Sequence, residues 1–212
     1  LVTGGAGFIG SYICKLFYEN GFIPVTFDNL LLGNRWAVKW GPLEIGDLCN
    51  KKDLHNLFKK YSFEGVVHLA GLSNVSESVK NPYLYYNNNV IGSFNLLEKM
   101  IEFNVRRIVF SSTAAVYGNP IESPIHENHP TQPINPYGDS KFSVERLIYN
   151  YSLSYGISFI SLRYFNVSGS DFSSQIGEAH LPETHIIPLA LEAAYQNSVF
   201  KINGNDYNTN DG

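Results

Sequence analysis

The stretch TGGAGFIG, residues 3–10, constrains the fold of this chain more tightly than any other. An apolar Leu-Val precedes it, and Ile9, Ile13, Leu16 and Phe17 follow at helical spacing, so it reads as strand, turn, helix. Gly4, Gly7 and Gly10 form the pattern G-x-x-G-x-x-G. Glycines there permit a tight turn and let the backbone approach a pyrophosphate, whose charge meets the free N–H groups of the helix start. Chance gives this triple about 0.1 times in a chain of this glycine content, and the strand–turn–helix setting makes the coincidence rarer still. The expectation is a dinucleotide-binding turn. The competing reading is a glycine-rich turn with no ligand.

The rest of the chain repeats the alternation. Residues 1–3, 23–27, 43–45, 65–70, 107–111 and 159–163 read as strands, and 199–202 as strand-like. Residues 52–60 read as a helix, as does the segment carrying Val90, Phe94, Leu97 and Ile101. Such alternation predicts a parallel sheet with helices on both faces. The near-continuous apolar runs GVVHLA and RIVFSS fit strands buried on both sides. After Asn166 the sequence turns polar and loop-like, with one helix near 187–196. The expected fold class is α/β: a doubly wound parallel sheet (Rossmann fold) over residues 1–165, then the start of a smaller substrate-binding region over 166–212. The chain opens on Leu-Val-Thr without an initiator Met and stops at Asn-Asp-Gly, so it is expected to be a fragment truncated at both ends.

Composition excludes several classes. A net charge of −4 without any dense Lys/Arg cluster argues against a nucleic-acid partner. No apolar run in this sequence is long enough to span a bilayer and none of it reads as a signal peptide, so no membrane partner is expected. Cys14 and Cys49 form no metal or disulfide pattern and suit a reducing cytosol, which makes a cytoplasmic location the expectation.

Asp28 ends the second strand, eighteen residues after Gly10. An acid there accepts hydrogen bonds from an adenosine ribose and repels a 2′-phosphate, which favours NAD over NADP; the alternative is a turn-forming Asp-Asn. Asp47, after the third strand, either reaches the adenine or caps the strand end. In NPYGDSK, residues 135–141, Asn135 is a good N-cap and Pro136 suits the first helical position. Val144, Leu147, Ile148 and Tyr151 continue one buried face, which Tyr137 and Lys141 extend toward the helix start. At that spacing Cβ atoms lie about 5–6 Å apart. An ammonium beside a phenol favours the phenolate, so Tyr137 is a candidate base with Lys141 lowering its pKa. The composition alone yields roughly 0.7 such pairs by chance, so the pair gains its weight from context.

Taken in order, TGGAGFIG, FDNL, GDL, HLAGL, YYNNNVIGS, FSSTAAVYG, PYGDSK and RYFN resemble the extended short-chain dehydrogenase/reductases, and within them the UDP-glucose 4-epimerase group. The resemblance implies NAD contacts at Phe8 and Ile9, at Asp28, Asn29, Leu30, Leu31, Leu32 and Gly33, and at Asp47 and Leu48. It extends them to Leu69, Ala70, Gly71, Leu72 and Ser73, to Asn89, and to Thr113, Tyr137, Lys141 and Phe165. Ser73 stands where the family commonly has lysine, and RYFNVSG replaces its usual RYFNPVG. Asn166 is implied to meet the sugar nucleotide's phosphates, and His185, Lys201 and Asn203 to make further substrate contacts. The implied catalytic set is Thr113, Tyr137 and Lys141: Tyr137 takes the proton of the sugar 4-hydroxyl as hydride leaves C4, Lys141 binds the nicotinamide ribose, and Thr113 bonds the same hydroxyl and relays its proton. Rotation of the 4-keto sugar and return of hydride to its other face would invert C4. The family also implies a homodimer built on two helices per subunit, one of them carrying Tyr137.

Neighbouring activities remain as rivals. Related 4,6-dehydratases carry an Asp-Glu pair where Ala114 and Ala115 stand, and alanines transfer no proton. A 4-epimerase of another UDP-sugar (an N-acetylhexosamine, uronate or pentose) and a non-catalytic NAD-binding protein stay open. His180, Glu183 and His185 in HLPETH superficially suggest metal ligands, but Pro182 interrupts helical spacing and no third strong ligand is apparent, so no metal is expected. His126, Glu127 and His129 read as a solvated loop, and His68 as a satisfied core or cofactor-side residue.

Overall fold

The computed structural model describes residues 1–180, 182–202 and 204–206, in two compact units, Leu1–Val167 and Ser168 onward. In the first unit six parallel strands form one sheet: β1 (Val2–Thr3), β2 (Thr26–Asp28), β3 (Leu43–Ile45), β4 (Val66–His68), β5 (Arg107–Thr113) and β6 (Ser158–Tyr164). Their order is β3-β2-β1-β4-β5-β6. The helices are α1 (Phe8–Glu19), α2 (Lys51–Lys60), α3 (Val75–Lys80), α4 (Pro82–Tyr85), α5 (Gly92–Glu102) and α6 (Pro136–Tyr155), with a π-helical turn, Tyr86–Ile91, between α4 and α5. The second unit contributes α7 (Ile186–Gln196). No described helix is long and apolar enough to cross a membrane.

The strand order reverses at β1. Val2 pairs with Thr26 on one side and Val67 on the other, so the turns after β1 and β4 leave the same sheet edge in opposite directions. A crevice opens at such a switch point, at the carboxyl ends of the strands. Beneath it lies the core: Leu54, Leu57 and Phe58 from α2, Leu96, Leu97 and Met100 from α5, and Val144 and Ile148 from α6 pack with Phe27, Val66, Ile108 and Phe110 of the sheet. Full burial of each such side chain contributes about 1.5–3 kcal/mol.

Several local readings change. The strand expected at 23–27 is Thr26–Asp28, because Pro24 has no N–H for the ladder; Ile23 is exposed. Of the apolar residues at helical spacing in the first helix, Leu16 is exposed, whereas Gly10, Ser11 and Cys14 are buried. The cause is close approach: a Cβ on Gly10 would sit 2.2 Å from the Gly4 carbonyl oxygen, so the face against the turn must be small. Residues 199–202 form no strand. α3 and α4 start on Asn74 and Asn81, whose side chains accept the Glu77 and Leu84 amides.

Candidate active site

Three strand ends and one helix start build the site. After β1, Gly4 turns with φ +72, and a Cβ there would meet the Ala70 amide nitrogen at 2.7 Å. The glycine turn and the segment after β4 are therefore in backbone contact across the switch point. Gly7 N-caps α1 with no side-chain cap, so its first-turn N–H groups face outward as an anion site. Asp28, at the end of β2, accepts the Ala6 amide at 3.1 Å and the Leu30 amide at 2.9 Å. Burial raises its pKa while those two N–H groups pull it back. Gly33 is needed beside it, since a Cβ there would lie 2.8 Å from the Asp28 carboxylate. Asn29 donates to Asp47 at 3.0 Å, and Asp47 also accepts the Cys49 amide at 2.7 Å. Leu31 and Leu32 are exposed, Phe8 and Ile9 half-buried, and Leu48 buried within the core cluster.

The segment after β4 is clamped from behind. Asn89, buried in the π-helical turn, accepts the Leu72 amide at 2.9 Å, donates to the Leu72 carbonyl at 3.0 Å and donates to Ser140 Oγ of α6 at 3.1 Å. Its amide thus ties loop, π-turn and α6 into one body, while Leu69, Ala70 and Gly71 line the loop and Ser73 is exposed. A second thread runs beneath. The Ala70 amide donates to Thr3 Oγ1, Thr3 to His68 Nδ1, His68 Nε2–H to Ser93 Oγ, and Ser93 to the Asn89 carbonyl. Every donor in that chain has one acceptor, which fixes the neutral Nε2–H tautomer of His68. Burial, with a smaller contribution from the Lys141 charge, brings the His68 pKa down to about 3. His68 is a satisfied core residue under the crevice.

α6 begins as its sequence requires: the Asn135 side chain accepts the Gly138 amide at 2.8 Å and Pro136 occupies the first turn. A Cβ on Gly138 would lie 2.6 Å from the Ala115 carbonyl oxygen, so the helix start lies directly on the turn after β5. That contact sets the Tyr137 phenol beside the Thr113 hydroxyl. Thr113 Oγ1 accepts the Ala115 amide at 3.2 Å. One turn on, Lys141 is buried; its Nζ donates to the Ser111 carbonyl at 3.0 Å and lies 5.1 Å from the Phe110 ring centroid. A Cβ on Gly71 would come within 3.0 Å of that Nζ. Tyr137, Thr113 and Lys141 thus meet at the rim of the glycine-rich crevice.

The electrostatics correct one expectation. Lys141 is expected from the sequence to lower the phenol's pKa, but in the chain itself burial pushes Tyr137 up, and the hydrogen bond from Thr113 offsets part of that. Burial also pulls Lys141 down to about 8, with its ammonium engaged by Ser111. The ground state holds a neutral phenol.

Behind this trio stands a set that the sequence reading missed. Arg163 of β6 grips Glu145 of α6 with two hydrogen bonds, Nε to Oε1 at 3.0 Å and Nη2 to Oε2 at 2.8 Å, and Ser112 donates to the same carboxylate. The strand carrying Thr113 is thereby fixed to the helix carrying Tyr137. His129 is not solvated: it is buried, accepts the Ile121 amide at 3.1 Å and donates from Nδ1 to the Pro130 carbonyl. Phe165 and Asn166 are exposed just past β6. In the second unit His185 caps α7 and Lys201 is exposed; Asn203 lies outside the described residues. There, too, Glu178 joins His180, Glu183 and His185 in one cluster, a neighbour the sequence reading did not include.

The comparisons agree with this geometry. The model of the NAD dependent epimerase/dehydratase family matches residues 1–211. UDP-glucose 4-epimerases of Rhizobium meliloti and Halalkalibacterium halodurans are each 45% identical over all of this chain, which covers 65% and 64% of their lengths. The crystal structure of UDP-glucose 4-epimerase from Brucella ovis in complex with NAD superimposes with a TM-score of 0.96 at 43% identity, over 100% of this chain and 65% of that one. The chain therefore spans slightly less than two thirds of these relatives. With the switch-point crevice, the glycine turn and the Tyr137–Lys141 helix in place, the chain belongs to the NAD dependent epimerase/dehydratase family.

Proposed function

We propose that a protein carrying this chain interconverts UDP-glucose and UDP-galactose by inverting C4 of the hexose. The observation that carries the reading is Lys141, buried one helical turn from Tyr137 at the crevice rim, its Nζ held by the Ser111 carbonyl beside Gly71. The 45% identical relatives named UDP-glucose 4-epimerase support the substrate.

The residues present fit NAD. Gly4, Gly7 and Gly10 keep the turn free of side chains, the α1 start offers unpaired N–H groups, and the Asp28 carboxylate retains lone pairs for a ribose hydroxyl. Phe8, Ile9, Asn29 to Gly33, Asp47, Leu48, Leu69 to Ser73, Asn89 and Phe165 would complete the cradle. When bound, NAD supplies a hydride acceptor and a positive charge. The positive charges of NAD and Lys141 would favour loss of the phenol proton to solvent, so that Tyr137 as phenolate would take the 4-hydroxyl proton, Thr113 would orient the phenol and relay that proton, and Lys141 would supply a ribose-directed ammonium. Asn166, His185, Lys201 and Asn203 would bind the UDP-sugar. Ala114 and Ala115 offer no proton donor or acceptor, which separates this site from one that eliminates water. A homodimer and a cytoplasmic location complete the reading: Tyr149 and Leu153 of α6 are exposed apolar side chains, and both cysteines are free.

The test is incubation of the whole protein with UDP-glucose, UDP-N-acetylglucosamine, UDP-glucuronate and UDP-xylose, followed by separation of C4 epimers. UDP-galactose should form fastest, and Tyr137→Phe should lower kcat by about 10²–10⁴ with NAD still bound. Faster turnover of another UDP-sugar would reassign the substrate, and no epimer from any of them would defeat the proposal.

A further inference from the structure

Glu178, His180, Glu183 and His185 stand in the irregular segment that leads into α7, wholly within the second unit. One ligand atom from each lies within 4.8 Å of all the others. His185 Nδ1 is 2.6 Å from Glu178 Oε1 and 3.0 Å from Glu183 Oε1. His180 Nδ1 is 3.3 Å from the same Glu178 oxygen and 3.9 Å from Glu183 Oε2. Glu183 Oε1 also accepts the Thr184 and His185 amides, which fixes the carboxylate's orientation toward the cluster.

Two further observations point to a ligand. The Glu178 and Glu183 side chains are only 7% and 15% exposed, and among the described residues neither pairs with a lysine or arginine. Adjacent part-buried carboxylates need compensating positive charge. In addition, His180 Nδ1 is shielded from solvent and hydrogen bonds to nothing, although a carboxylate oxygen lies 3.3 Å away. A buried nitrogen without a partner calls for one.

A cation at the centre meets both needs. Zinc, bound at about 2.0–2.2 Å by nitrogen and oxygen in a tetrahedron, requires donor atoms roughly 3.3 Å apart. The Nδ1–carboxylate separations of 2.6 to 3.9 Å bracket that value. Two imidazoles favour a borderline transition ion over magnesium or calcium, which prefer oxygen ligands throughout.

We propose that Glu178, His180, Glu183 and His185 bind one divalent transition-metal ion, zinc by preference, through both Nδ1 atoms and one oxygen of each carboxylate. Four protein ligands make a closed, structural site that fastens the segment to the start of α7. Nε2 of His185 remains available for other contacts.

The whole protein, stripped with a chelator and dialysed, is titrated with zinc and, in parallel, with cobalt as a spectroscopic stand-in. One equivalent should bind per chain, give the intense visible bands of tetrahedral cobalt and raise Tm. His180→Gln should weaken binding at least about tenfold and abolish those bands, while Glu192→Gln, an exposed change on α7, should bind as the unaltered protein does. If His180→Gln does not fold, by circular dichroism, Glu178→Gln takes its place with the same expectation. Failure of the unaltered protein to hold one equivalent, or equal binding by the ligand variant, overturns the proposal.

Discussion

At the scale of single residues, Lys141 shows how the site sets function against stability. Its ammonium is buried with one carbonyl acceptor and an aromatic face, and its pKa falls to about 8 from an ordinary lysine value. The unfolded chain then holds more protons than the folded one between about pH 8 and 10.5, so stability rises with pH across that window and the buried charge opposes folding at neutral pH. Without nucleotide, the whole protein should therefore gain about 1–2 kcal/mol in urea unfolding between pH 8 and 9.5, and Lys141→Met should remove that gain. An unchanged slope in the variant would show that Lys141 is not the titrating group. Each depressed basic group works in the same direction: His68, neutral in the fold down to about pH 3, loses stability for the fold as pH drops below 6.5 and the unfolded imidazole takes up its proton.

At the scale of elements, the catalytic geometry rests on how α6 lies against β5 and β6. Gly138 against Ala115 sets the closeness of that packing, and the Arg163–Glu145–Ser112 set fixes its register. Arg163→Met leaves the Glu145 carboxylate largely buried without its partner, which should lower stability by about 2–3 kcal/mol, the partial exposure of Arg163 reducing the full effect. Adding Glu145→Met should recover most of it. A double variant as unstable as the single one would show that the pair contributes by packing alone. These elements also show what a sequence can reveal. The glycine turn and the α6 start were legible because each depends on neighbours in the chain: glycines at fixed offsets, an N-cap followed by proline, an apolar face at helical spacing. The His68 relay, the buried His129 and the Arg163–Glu145 pair were not, because their partners come from 65, 8 and 18 positions away. The true buried face of α1 was hidden for a related reason. Apolar spacing pointed to Leu16, whereas the decisive quantity was the distance between two glycines across a turn. Glu178 was overlooked since no helical or strand periodicity joins it to His180 and His185.

At the scale of the molecule, the order β3-β2-β1-β4-β5-β6 places the proposed catalytic and cofactor groups of the first unit, Asn89 of the π-helical turn apart, at or just after the carboxyl end of a strand or at the start of a helix. The parallel sheet thus supplies a rigid floor, and chemistry is carried by the segments that leave it. The central proposal is that a proton leaves the sugar's 4-hydroxyl as a hydride leaves C4, and that the same hydride returns to the other face of C4, with Tyr137, Thr113 and Lys141 governing the proton. Epimerisation of UDP-glucose by the whole protein in heavy water, read by proton NMR of the separated UDP-galactose, tests it most directly. Inversion at C4 with ordinary hydrogen retained there is the predicted result; deuterium at C4 of the product would contradict it.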